Sequence, residues 1–123
     1  MKPGKSGLPR LLDAIRYSVK GLRAAFTYEA AFRQELLLVF ILTGASFWLA
    51  ANVYEWLVLI APLLILLIVE LLNSAIENTV DRIGSELHDL SGRAKDMGSA
   101  AVMLSLLLIA ICWSAIFWLH YHA

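Results

Sequence analysis

Charge is scarce in this chain and cysteine is almost missing. Asp, Glu, Lys and Arg make up 16% of the 123 residues, against a hydrophobic fraction of 60% and a mean hydropathy of +0.73. Soluble domains are nearer one half apolar, so an ordinary soluble protein is excluded. Cys112 is the single cysteine. No intramolecular disulfide is possible, and its apolar neighbours mark it as a packing residue. Internal repeats and low-complexity segments are lacking. The first 30 residues are basic and periodic rather than one apolar core, so no cleavable signal peptide is expected. Net charge is zero, and no nucleic-acid partner is expected. The length suits a single membrane domain over 1–123.

What is present is apolar length. A helix needs about 20 mostly apolar residues to cross a bilayer. Leu36 to Tyr54 is a charge-free run of 19 residues, and Met97 to Leu119 is another of 23. Between them, residues 56–81 carry a span whose apolar part is broken only by Glu70. Pro62 falls in its first two turns, where a transmembrane helix accommodates the missing donor. The sequence predicts an all-α membrane protein with spans over 36–54, 56–81 and 97–119.

Basic residues orient those spans. Residues 1–35 hold seven of the ten Lys and Arg, and the other three are Arg82, Arg93 and Lys95. The first loop (Asn52 to Glu55) has none, nor has the tail after Leu119. The excess of Lys and Arg on cytoplasmic loops places the N-terminus and second loop in the cytoplasm, and the C-terminus on the opposite, periplasmic side. Trp48, Tyr54, Trp56, Trp118 and Tyr121 would gather at that far interface.

Residues 8–32 form a fourth element. Leu8, Leu11, Leu12, Ile15, Val19, Leu22 and Phe26 recur at helical spacing, flanked by Arg10, Arg16, Lys20 and Arg23. This pattern fits an amphipathic helix lying in the interface, basic side toward anionic headgroups. A plain basic anchor would look the same.

An acid inside a span costs on the order of 2.5–3.5 kcal/mol on insertion scales and is a functional hypothesis by default. Glu70 is that acid. At about 100° per residue, Glu70, Asn73, Glu77 and Asp81 fall within an arc of roughly 80°. Glu70 and Glu77 are about 10 Å apart along the axis, which puts one at the depth of a lipid hydroxyl and the other at phosphate depth. Phosphoryl transfer to a membrane-bound alcohol needs a base at the first depth and held metal at the second. The plainer reading is that Glu70 and Asn73 bond a neighbouring helix.

The second loop, Arg82 to Ala101, enters the third span through Gly92, Gly98 and other small residues. Asp96 is the expected N-cap, and Arg93 and Lys95 beside a helix start make an anion site. There is neither a G-x-x-x-x-G-K-S/T run nor a protein-kinase signature, so a known soluble nucleotide module is excluded.

The segment Glu70-Leu-Leu-Asn73-Ser-Ala-Ile-Glu77-Asn-Thr-Val-Asp81 resembles the Glu-x-x-Asn-Ser/Thr-Ala-Ile/Val-Glu-x-x-x-Asp signature of the prokaryotic diacylglycerol kinase family. The likeness extends through Arg82-Ile-Gly-Ser-Glu86-Leu-His88 and Ser91-Gly-Arg-Ala-Lys95-Asp96-Met-Gly-Ser99, and through Lys20 to Glu35. It implies ATP-dependent phosphorylation of diacylglycerol to phosphatidic acid at the cytoplasmic face of the bacterial inner membrane. Carried over residue by residue, it makes Glu70 the general base, with Asn73 beside it. Glu29 and Glu77 become ligands of Mg2+. Lys95 and Asp96 would meet nucleotide phosphates, Glu86 and His88 the nucleoside end. Arg10 and Tyr17 would approach from the surface helix, and Ser99 and Trp113 would line the lipid side. The resemblance also implies a homotrimer with shared sites, to which Gly44, Ala45, Ser46, Ala101 and Ser105 would lend close helix packing. The alternative enzyme is an undecaprenol kinase, which presents the same kind of hydroxyl. A small proton-coupled transporter built on Glu70 is a different class, and spans 1 and 3 offer it no second buried charge. A structural membrane subunit is a third class, for which the motif has no use.

Overall fold

The computed structural model describes Gly4, residues 6–84 and residues 88–122. Its described residues form four helices and no strand: α1 (Leu8–Tyr28), α2 (Ala30–Leu49), α3 (Val53–Ile83) and α4 (Asp89–His122). The last three are long and apolar enough to cross a membrane. Helices α3 and α4 run beyond the segments that announced them, to 31 and 34 residues, whereas α2 starts before its expected span of 36–54 and stops short of it at Leu49, because the chain turns at Ala50 and α3 takes up Val53 and Tyr54. Pro62 consequently lies deeper inside α3 than its first two turns.

The element expected over 8–32 ends at Tyr28. Glu29 adopts an extended conformation (φ −113°, ψ 106°) and forms a one-residue corner between α1 and α2. Helix ends leave carbonyls without partners. Here Arg33 of α2 reaches back, and Nη1 donates to the carbonyls of Phe26 (2.8 Å) and Thr27 (3.2 Å). The corner is thus fixed by a side chain one turn into the next helix. At the other end of α1, Pro9 sits in the first turn, where its missing N–H costs nothing.

Helix α3 is central, packing on α4 along most of its length and on α2 on another side. Leu59, Leu63 and Leu66 recur at spacings of four and three, and meet Ile109, Trp113 and Ile116 of α4, spaced likewise. All six are buried. Between helices in lipid, contact of this kind stabilises by van der Waals packing rather than by escape from water. Ser46 and Ser105 are buried among these helices, whereas Gly44 and Ala101 face outward. Phe40, Leu64, Leu72 and Leu104 are also exposed, an outer surface suited to lipid or to other helices.

One polar bond crosses this core. Trp113 Nε1 donates to the Leu59 carbonyl at 3.1 Å. That carbonyl lies three residues before Pro62, where a proline loosens the helix's own ladder. The end of the bundle remote from the basic loop is tied separately. Asn52 caps α3 by accepting from the Glu55 amide at 3.0 Å, and Glu55 in return accepts from the Ala51 amide, close to a capping box. His120 Nε2 of α4 then meets Glu55 Oε1 at 2.8 Å.

Candidate active site

The polar stripe on α3 grades from sealed to open. Glu70 is 3% exposed, Asn73 8% and Ser74 6%; Glu77 is half-buried, and the Asp81 side chain stands largely in the open. One helical turn links each buried pair. Ser74 Oγ donates to Glu70 Oε2 at 3.0 Å, and Asn73 Nδ2 donates to Glu77 Oε1 at 2.9 Å. Each carboxylate is therefore oriented by a neighbour four residues away. A base must be held in place before its basicity is of use.

A second acid reaches Glu70 from another helix. The Glu35 side chain of α2 lies next to it, carboxyl beside carboxyl. Among the described residues no hydrogen-bond donor reaches the buried Oε2 of Glu35. Sequence reading missed this residue because Glu35 closes off the charge-free run and looked like its flank. The corollary that span 1 brings no charge to Glu70 is corrected by the same contact.

Glu29 arrives through the corner. Asn78 Nδ2 lies 3.5 Å from Glu29 Oε2, so Glu29 stands beside the residue that follows Glu77. A cleft of about 490 Å³ opens between α1 and α3, with Glu29 and Tyr28 on one side and Ser74, Ala75 and Asn78 on the other. Its floor, Ser74, is the partner of Glu70. A second cleft of about 480 Å³ opens beyond Asn73, between α3 and α4, lined by Leu72, Ile76, Met97 and Gly98 among others.

Among the described residues no group of three or more His, Cys, Asp or Glu side chains could by itself hold a metal. The donor set still fits magnesium, which is usually held by one or two carboxylates together with substrate phosphates and water. Glu29 and Glu77 are two such carboxylates, and among the described residues each has a neutral side-chain amide as its hydrogen-bond donor.

Lys95 of α4 pairs with Asp81 at 2.6 Å and feels the charge of Glu77. Asp96 does not cap α4. The helix begins a full two turns earlier, and His88 performs the capping, its Nδ1 accepting from the Leu90 amide at 3.0 Å. Leu90, Arg93, Ala94 and Lys95 are good helix formers, and two glycines do not break such a run. Asp96 and Ser99 are exposed on α4, as are Arg10 and Tyr17 on α1. Trp113 belongs to the α3–α4 core near Leu59, about 16 Å along the axis from Glu70. Glu86 lies outside the described residues.

Three helices long and apolar enough to cross a membrane, one of them carrying acidic side chains from a buried level to an open end beside Lys95, define a helical membrane protein with a polar site on α3. The sequence model of "Prokaryotic diacylglycerol kinase" matches residues 16–117. The chain is 48% identical to the diacylglycerol kinase of Escherichia coli K12 over 121 residues, covering 98% of this chain and 99% of that one. It is 51% identical to that of Pseudomonas aeruginosa over 113 residues, 92% of each chain. With that of Haemophilus influenzae it shares 46% identity over 111 residues, 90% of this chain and 94% of the relative. The chain belongs to the prokaryotic diacylglycerol kinase family. It is accordingly an enzyme, a lipid kinase.

Proposed function

We propose that the chain transfers the γ-phosphoryl group of ATP to the free hydroxyl of diacylglycerol, giving phosphatidic acid and ADP. The observation that carries this reading is the buried carboxylate column: Glu70 held by Ser74 and Glu77 held by Asn73, on one face of α3. Glu70 accepts the hydroxyl proton as the lipid oxygen bonds to the γ-phosphorus. The bond from that phosphorus to the bridging oxygen breaks, and ADP leaves. Asn73 keeps Glu77 turned toward the nucleotide. Glu29 and Glu77 would hold Mg2+, which when bound neutralises charge on the phosphates.

In this reading Lys95 and Asp96 bind the phosphates, and His88 and Glu86 take the nucleoside. Arg10 and Tyr17 approach from α1, whose exposed apolar stripe from Leu8 to Phe26 suits a helix resting on the cytoplasmic face of the inner membrane. Ser99 and Trp113 serve the lipid side. One chain's clefts are too open to enclose ATP and a lipid together, and a homotrimer with shared sites answers that need.

The deciding experiment offers diacylglycerol and undecaprenol side by side to the purified protein in mixed micelles with Mg-ATP. Phosphate incorporated into diacylglycerol is the expected result. Incorporation into undecaprenol alone transfers the mechanism to the other alcohol, and incorporation into neither removes the kinase reading.

A further inference from the structure

The neighbours of Asn73 on α4 carry a consequence for Glu77. Asn73 Nδ2 donates to Glu77 Oε1, while Asn73 Oδ1 is buried with no hydrogen-bond partner among the described residues. The amide cannot be turned the other way without setting its oxygen against a carboxylate oxygen. Its oxygen is consequently driven toward α4, and there it meets Gly98. A Cβ at position 98 would collide with Asn73 Oδ1 and stand 3.2 Å from its Cγ. Gly21, Gly44 and Gly92 differ in this respect, since a Cβ at any of them would meet nothing within 4 Å. Gly98 is buried on the α3-facing side of α4, and its backbone is helical, so no unusual dihedral calls for glycine there. What requires glycine is the space.

We infer that Gly98 is a positioning residue for phosphoryl transfer: its missing side chain is the slot into which the Asn73 amide is pressed so that Nδ2 holds Glu77. This inference rests on the assignment of Glu77 to metal and nucleotide. A buried acceptor without a partner is costly, and such a group is tolerated where its orientation serves a function. Filling the slot forces Asn73 into another rotamer. Glu77 then loses the donor that fixes its carboxylate, as when an outer-sphere partner of a metal ligand is removed. Close approach of α3 and α4 is a second consequence of the same glycine, and the two roles are separable by experiment.

The test compares the trimer-competent full chain with Gly98→Ala, Asn73→Ala, the double variant, Glu77→Gln and, as a control, Gly92→Ala. Two readouts are taken besides turnover: equilibrium Mn2+ binding in the presence of ADP, followed by the paramagnetic resonance of the free ion, and the thermal unfolding midpoint. Gly98→Ala is expected to weaken Mn2+ binding by about tenfold or more, the lower end for removal of an outer-sphere partner, and to raise the Mg2+ needed for half-maximal activity to match. Gly92→Ala is expected to leave both unchanged. On the Asn73→Ala background the added methyl has room, and a further change of less than about twofold is expected in either quantity. Should Gly98→Ala fail to fold, the double variant decides: recovery of a folded protein that binds Mn2+ like Asn73→Ala supports the slot, and continued failure shows plain helix packing and overturns it. Wild-type Mn2+ binding in a folded Gly98→Ala overturns it as well, provided Glu77→Gln has lost binding. Undiminished binding in Glu77→Gln would instead remove the metal assignment itself.

Discussion

Glu35 on α2 and Glu70 on α3 meet carboxyl to carboxyl, although 35 positions apart and on different helices. Glu70 is sealed from solvent at 3% exposure and accepts from Ser74 Oγ. The contact ties this end of α2 to a buried acid of α3.

Substitution at position 35 tests that tie. Glu35→Gln keeps a donor toward Glu70 and is expected to retain turnover within about tenfold. Glu35→Leu removes the partner and leaves Glu70 buried with less support. A loss at least tenfold deeper is expected, of the size of one displaced acid–base group at about 10²–10⁴. Equal activity in the two variants would show that the contact has no bearing on the reaction.

The metal assignment makes a separate demand. Glu29→Gln and Glu77→Gln are each expected to raise the Mg2+ concentration for half-maximal activity by tenfold or more, since a neutral amide binds a hard cation poorly. A normal Mg2+ titration in both variants would refute the assignment.

Asp81 is largely exposed and Lys95 half-exposed, and an ion pair so open to solvent adds little to stability. Lys95→Met is therefore expected to leave the unfolding midpoint nearly unchanged while raising the KM for ATP by tenfold or more. A shift in stability without a change in KM would make Lys95 a structural residue only.

The two tryptophans of α4 should separate cleanly. Trp113→Phe removes the hydrogen bond to the Leu59 carbonyl, at a cost of about 0.5–1.5 kcal/mol. Trp118 is exposed, and Trp118→Ala should stay within about 0.5 kcal/mol. Chemical or thermal unfolding in micelles measures both.

Much of this was legible in the sequence because apolar length and a misplaced charge are local signals. Spans show themselves as charge-free runs, and Glu70 stands out as the acid inside one. The face shared with Asn73, Glu77 and Asp81 follows from helical periodicity. Helix ends were harder. α4 begins at Asp89 because His88 caps it, and a ring nitrogen accepting from a backbone amide two residues on leaves little trace in a sequence. Contacts between helices were hidden altogether. The approach of Glu35 to Glu70 depends on how α2 leans on α3, and the collision awaiting a side chain at Gly98 depends on the register of α3 against α4. Glu29 could be tied to Glu77 only through family likeness, because a one-residue corner decides where it points.

The most direct measurement is phosphate transfer from labelled Mg-ATP to diacylglycerol by Glu70→Gln, beside nucleotide affinity in the same preparation. If Glu70 takes the hydroxyl proton, transfer falls by about 10²-fold or more while ATP binding and assembly stay as in the parent chain. Transfer within tenfold of the parent, with ATP bound normally, would contradict its role as the base.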